Sequence, residues 1–83
     1  MPKITFSAHA RYQLKERNLS EREVKRALRN PDKIYKQSAN RFRAIKMSRK
    51  QGKGYLVVVV YETINSTQEI ITVFITSKIK KYL

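Results

Sequence analysis

The sequence holds no cysteine, no tryptophan, one histidine, two prolines, two glycines and only six acidic residues in 83. Each scarcity excludes something. Without cysteine there are no disulfides, thiol nucleophiles, iron–sulfur clusters or cysteine zinc sites. One histidine rules out His-cluster metal sites and any two-histidine catalytic pair. Six scattered carboxylates make the paired-acid chemistry of glycoside hydrolysis a poor fit. No apolar run approaches the ~18 residues that suggest a membrane span. The start, Met1-Pro2-Lys3-Ile4, lacks the apolar stretch of a signal peptide, so a cytoplasmic protein with no membrane partner is expected. P-loop, GxGxxG, HExxH and zinc patterns are also missing, so no cofactor and no metal are expected.

What is present is positive charge. Nineteen Lys and Arg against six acids give a formal net charge of +13. Sixteen of those cations, with four acids, fall in residues 1–54. Residues 55–77 contain none, and Lys78, Lys80 and Lys81 close the chain. A chain of this length makes one domain, residues 1–83, with a small core. Basic residues interleaved with five Tyr and three Phe suit nucleic acid, where cations neutralise phosphates and rings stack on unpaired bases. The same charge also suits an acidic protein partner.

Local signals place the elements. Lys3–Phe6 alternates and reads as a strand. Ser7 is positioned to cap a helix from Ala8 to about Arg17, and Asn18 to end it in the left-handed conformation. Ser20 and Glu23 form a capping box that opens a second helix at Glu21. Pro31 stops it near Arg29, because helical geometry is disfavoured before proline. Lys33–Gln37, Arg41–Met47, Tyr55–Glu62 and Glu69–Thr76 read as four strands of an antiparallel meander. Arg49 to Gly54, with both glycines, reads as a flexible turn. Ser77–Leu83 is a helical turn or an extension. The predicted fold is α+β, in the order β-α-α-β-β-β-β, with two N-terminal helices on one face of a mainly antiparallel sheet.

Side-chain alternation assigns faces. Arg41, Arg43, Ile45 and Met47 share one face of their strand, and Phe42, Ala44 and Lys46 the other. The strand from Tyr55 is apolar on both faces and is predicted to be central. In the last strand Ile71, Val73 and Ile75 oppose Ile70, Thr72, Phe74 and Thr76. In the second helix Val24, Ala27 and Leu28 form an inward stripe. Arg22, Lys25, Arg26 and Arg29 lie opposite, as a solvated face or a phosphate-contacting one. In the first helix Arg11 and Lys15 mark the solvent side, which turns His9 and Arg17 toward the sheet. Both have plain structural readings as well, a half-buried imidazole and a helix-end tie. Arg41 and Arg43 either solubilise an exposed strand or reach adjacent phosphates.

Five stretches then resemble the RelE/ParE-like toxin superfamily, most closely its BrnT-like and related small domains. They are His9-Ala10-Arg11-Tyr12-Gln13-Leu14-Lys15-Glu16-Arg17-Asn18-Leu19-Ser20, Arg29-Asn30-Pro31, Asn40-Arg41-Phe42-Arg43-Ala44-Ile45, Gly54 to Tyr61 and Ile71 to Lys78, in family order. Arg41 falls where BrnT-like proteins open a strand with arginine, and Lys78 near the end of their last strand. There are departures. Val73 stands where that strand has an arginine, Lys78 replaces another, and Arg17 replaces a histidine, so the site would not copy BrnT's.

The resemblance implies a toxin-like, metal-independent endoribonuclease of a toxin–antitoxin type. The ribose 2′-OH would attack the adjacent phosphate, which requires a base, an acid and cations for the developing charge. Arg41 and Arg43 would hold the phosphate, with Lys78 as a further cation. His9 or Tyr61 would transfer protons, and imidazole is the side-chain type suited to that near neutral pH. Arg17, Lys46, Lys80 and Lys81 would contact RNA elsewhere. The expected partners are RNA, such as mRNA or ribosome-bound mRNA, and an acidic antitoxin-like protein. The alternative on the same fold is a non-catalytic RNA- or DNA-binding module or a protein-interaction domain.

Overall fold

The computed structural model describes residues 3–83; Met1-Pro2, part of the start read above, lies outside them. The chain runs β1 (Lys3–Phe6), α1 (Ala8–Glu16), α2 (Glu21–Arg29), β2 (Lys33–Lys36), β3 (Arg41–Lys50), β4 (Lys53–Ile64), β5 (Thr67–Thr76) and α3 (Ile79–Tyr82). The strands form one five-stranded mixed sheet in the order β1-β5-β4-β3-β2. β2 to β5 are an antiparallel meander, while β1 lies parallel to β5 at the edge. The fold is therefore α+β, with β4 central as its two apolar faces predicted.

Local chemistry sets the helix ends. Ser7 Oγ accepts from the Ala10 amide and donates to the Ile71 carbonyl, so one hydroxyl caps α1 and ties it to β5. Asn18 takes φ 53°, the left-handed position that ends α1. The reciprocal box is formed: Glu23 N–H donates to Ser20 Oγ, and Ser20 N–H donates to Glu23 Oε2.

Two cores flank the sheet. On the helix side Ala10, Leu14, Val24 and Ala27 pack on Ala44, Val57, Val59, Tyr61, Ile70 and Val73. On the second side Ile45, Leu56 and Val58 form a smaller cluster, against which Tyr35, Phe74, Ile79 and Tyr82 pack. The basic tail is thus a helical turn that closes part of the face left by α1 and α2.

Three expectations are corrected. The basic turn is shorter than predicted, because β3 extends to Lys50 and β4 starts at Lys53. Gln51 (φ 54°) and Gly52 (φ 80°) make a two-residue hairpin with both φ positive, whose twist matches the flanking strands. Second, a bulge shifts the β4–β5 register, so that Val60 pairs with Thr72 but Tyr61 with Ile70. Ile70 therefore faces the helices with Val73, and strict alternation in β5 fails. Third, His9 is exposed, and α1 instead turns Ala10 and Leu14 inward with Gln13 and Arg17 half-buried beside them. The inward stripe follows its two apolar residues, one helical turn apart, and leaves His9 outside it. Among the described residues no helix is long and apolar enough to cross a membrane.

Candidate nucleic-acid interface

The second face of the sheet gathers the cations that alternation assigned to it. Arg43 sits in mid-β3, opposite Tyr35 of β2. Its guanidinium carbon lies 5.0 Å from the Tyr35 ring centroid and 5.7 Å from that of Tyr82 in α3. The planar cation is thus flanked by two π-faces, an arrangement that favours arginine over lysine. Its Nε is closed to water and has no hydrogen-bond partner among the described residues.

The same contacts fix the tail. Tyr35 donates its hydroxyl proton to the Tyr82 carbonyl at 3.2 Å, and Lys33 Nζ donates to the Leu83 carbonyl at 3.1 Å. Tyr82 meets Phe74 edge-on, with ring centroids 5.9 Å apart. Lys33 also lies 5.5 Å from the Tyr35 ring, and Lys81 lies 5.7 Å from the Tyr82 ring. Lys78 is the residue before α3, its amide donating to Thr76 Oγ1, and Lys78, Lys80 and Lys81 are exposed. A cluster of cations around two tyrosines results.

Arg41 is occupied. Its Nε and an Nη donate to one oxygen of Glu62, at 3.2 and 3.0 Å, across the β3–β4 pair. The pair is partly open to solvent, with 43% of the Arg41 side chain and 23% of the Glu62 side chain exposed. A phosphate approaching Arg41 would therefore compete with Glu62, whereas Arg43 faces no carboxylate partner among the described residues.

The other predicted site residues lie apart. Tyr61 is on the helix side, only 6% exposed, and stacked on Phe42 at 5.6 Å. Burial raises its hydroxyl pKa above the usual 10, opposite to what a proton acceptor near neutrality requires. Lys46 is also on the helix side, mostly covered and 3.7 Å from the Asp32 carboxylate, as its alternation relative to Arg43 implies. His9 points outward from the first turn of α1. Arg17, the residue that ends α1, lines a separate cleft beside Lys53 and Tyr55. The structure thus groups Arg41 and Arg43 on one face and adds the tail lysines, but it does not join them to Tyr61, Lys46 or His9.

Three residues of this surface, Lys33, Tyr35 and Tyr82, have no functional role in the sequence reading. Tyr35 could have been found by alternation within β2, since it shares a side with Lys33. Tyr82 had no usable signal, because the tail was ambiguous between a turn and an extension.

No curated protein and no solved structure matches the chain significantly. A family model does, over residues 6–75, from the end of β1 almost to the end of β5. The matched span includes both arginines of the face and excludes α3, and on that match the chain belongs to the family described as Domain of unknown function (DUF4258).

Proposed function

We propose that this protein binds RNA on the second face of its sheet, with Arg43 as the phosphate anchor and Lys33, Lys78, Lys80 and Lys81 as surrounding cations. The observation that carries the reading is the Arg43 guanidinium, flanked by Tyr35 and Tyr82 and without a carboxylate partner among the described residues. A guanidinium with no counter-charge, set in a basic, aromatic surface, is suited to the oxygens of a phosphate. Single-stranded RNA supplies both the phosphate and the unpaired base that such a surface accommodates. The reading places the protein in the cytoplasm, where RNA is available, and an acidic antitoxin-like protein that covers this face is its natural competitor.

A second reading, toxin-like cleavage by 2′-OH attack, rests on the Tyr82 ring beside Arg43. That pairing puts a phenol, a possible proton donor or acceptor, next to a cation able to hold the scissile phosphate. The RelE/ParE-like resemblance favours this reading. Its proton-transfer group would be Tyr82 rather than the buried Tyr61.

Fluorescence anisotropy with a labelled single-stranded RNA tests the first reading. Arg43→Ala should weaken binding by about tenfold or more, the scale of one charge-assisted contact. Binding unchanged by that variant removes this face from the site. The same RNA, incubated with the protein in EDTA and resolved on a denaturing gel, separates the readings. Fragments that vanish in Tyr82→Phe support cleavage, and intact RNA leaves binding alone.

A further inference from the structure

A second unpartnered guanidinium lies on the opposite side of the sheet, and it opens a separate question. Where α1 ends against the start of β4 and the end of β5 there is a cleft of about 310 Å³. Its lining includes Arg17, Leu19, Lys53, Tyr55, Ile75 and Ser77. The volume is at the lower end for small-molecule sites.

The sequence dictates why these groups meet. Arg17 follows the last residue of α1, and its amide closes the helix on the Gln13 carbonyl at 2.9 Å. The left-handed Asn18 then turns the chain away, and the half-buried Arg17 lines the cleft. Lys53 is the first residue of β4, brought in by the tight hairpin at Gln51-Gly52.

The chemistry is lopsided. Arg17 Nε is closed to water and has no hydrogen-bond partner, and no ion pair forms to Arg17 or Lys53 among the described residues. Glu23, the carboxylate in the lining, already accepts from the Ser20 amide at 3.0 Å as part of the capping box. Arg17 and Lys53, a planar fork and a point charge, therefore line one cleft with two hydroxyl-bearing residues, Tyr55 and Ser77, and with the apolar Leu19 and Ile75. A tetrahedral dianion with several acceptor oxygens matches that donor set, and an attached sugar or base matches the apolar residues.

We propose that this cleft binds a phosphomonoester, its phosphate held by Arg17 and Lys53. The phosphate comes either from a free mononucleotide or from the 5′ end of an RNA strand. The site lies across the sheet from Arg43 and its test uses mononucleotide and inorganic phosphate, so it stands or falls independently of the RNA-binding face.

Nitrogen-15 correlation spectra of the full chain, including the arginine Nε–H region, provide the test. Titration with 5′-AMP should give saturable shifts of Arg17 Nε–H and of the Leu19, Gly54 and Ser77 amides. Inorganic phosphate should produce the same pattern more weakly, and adenosine should not. Arg17→Gln should weaken 5′-AMP binding at least about tenfold. Lys53→Glu changes an exposed side chain, leaves the fold intact and should abolish the saturable shifts, which keeps the test valid if the Arg17 variant fails to fold. A 5′-phosphorylated oligonucleotide that shifts these signals at lower concentration than its 5′-hydroxyl counterpart identifies the strand end as the source. Equal response to both oligonucleotides alongside saturable 5′-AMP binding identifies the free nucleotide. Absence of saturable shifts, equal shifts with adenosine, or full binding by Lys53→Glu overturns the proposal.

Discussion

Gln13 is the residue whose removal tests the architecture most sharply. β1 pairs with β5 only through Ile70, whereas β5 continues to Thr76. Beyond β1 the outer edge of β5 would be open, and α1 lies along it. Gln13 Oε1 accepts from the Val73 amide at 2.8 Å and from the Thr72 hydroxyl at 2.7 Å. One side-chain oxygen thus substitutes for the neighbouring strand. Gln13→Ala would leave the amide of Val73, a residue with no exposed surface, without an acceptor. An unsatisfied buried donor costs ~1–3 kcal/mol, and the slightly better helix propensity of alanine offsets only a few tenths of that. The expected loss is about 2 kcal/mol, out of roughly 4–12 kcal/mol for a domain of this size. With an unfolding entropy of ~2.1 cal/mol/K per residue, that lowers Tm by about 11 °C.

Two further variants at the same position separate hydrogen bonding from packing. Gln13→Met keeps length and apolar contact but supplies no strong acceptor, so it should lose most of the same stability. Gln13→Glu keeps an acceptor oxygen at neutral pH and should stay within about 1 kcal/mol of the parent. Urea unfolding at constant m measures all three, and amide exchange should show Val73 losing protection in the Ala and Met variants. A Gln13→Met protein as stable as the parent would refute the account, because the Val73 amide would then have to be satisfied elsewhere.

Three more predictions concern the faces. Burial raises the Tyr61 pKa above its usual 10, so the fold favours the neutral phenol. The stabilisation is present in full below about pH 10 and is lost as pH rises through the folded value. The stability difference between parent and Tyr61→Phe should therefore be flat from pH 6 to 9 and shift in favour of Phe above pH 10. A change between pH 6 and 9 would show a hydroxyl that titrates near neutrality and would restore Tyr61 as a proton-transfer candidate. Glu62→Gln should free Arg41 and remove a negative charge from the RNA face. RNA affinity at low salt should rise about two- to fivefold, with at most about 1 kcal/mol of stability lost because the pair is partly exposed. Lys80→Gln with Lys81→Gln should reduce the slope of log K against log salt by about 1.4, since each single-strand phosphate contact contributes roughly 0.7. An unchanged slope places the RNA away from α3.

What could be read in the sequence follows the range of the interactions involved. Both helices, their caps and the left-handed Asn18 depend on contacts within four residues, and the chain alone specifies them. The central position of β4 follows from apolar residues on both of its faces. The bulge at Val60/Tyr61 depends on how two strands pair, and nothing within β5 announces it, so alternation put Ile70 on the wrong face. With both glycines inside it, Arg49 to Gly54 reads as one flexible turn, yet only Gln51 and Gly52 turn. In the sheet, Arg49 pairs with Gly54, and the basic segment is strand rather than loop.

The site divides along the same line. Alternation alone placed Arg41 and Arg43 on one face and Lys46 on the other, and the structure agrees. Alternation cannot tell which arginine is free. Glu62 is 21 residues from Arg41, and its pairing depends on the β3–β4 register. Tyr82 lies beside Arg43 in a tail held by Lys33, Tyr35 and Phe74, all distant in sequence. The net charge is therefore a weak guide to where an anion binds. The stronger guide is which cations the fold leaves without a counter-charge. By that criterion Arg43 and Arg17, on opposite sides of one sheet and each without a carboxylate partner among the described residues, outrank Arg41, which its position in the sequence favours.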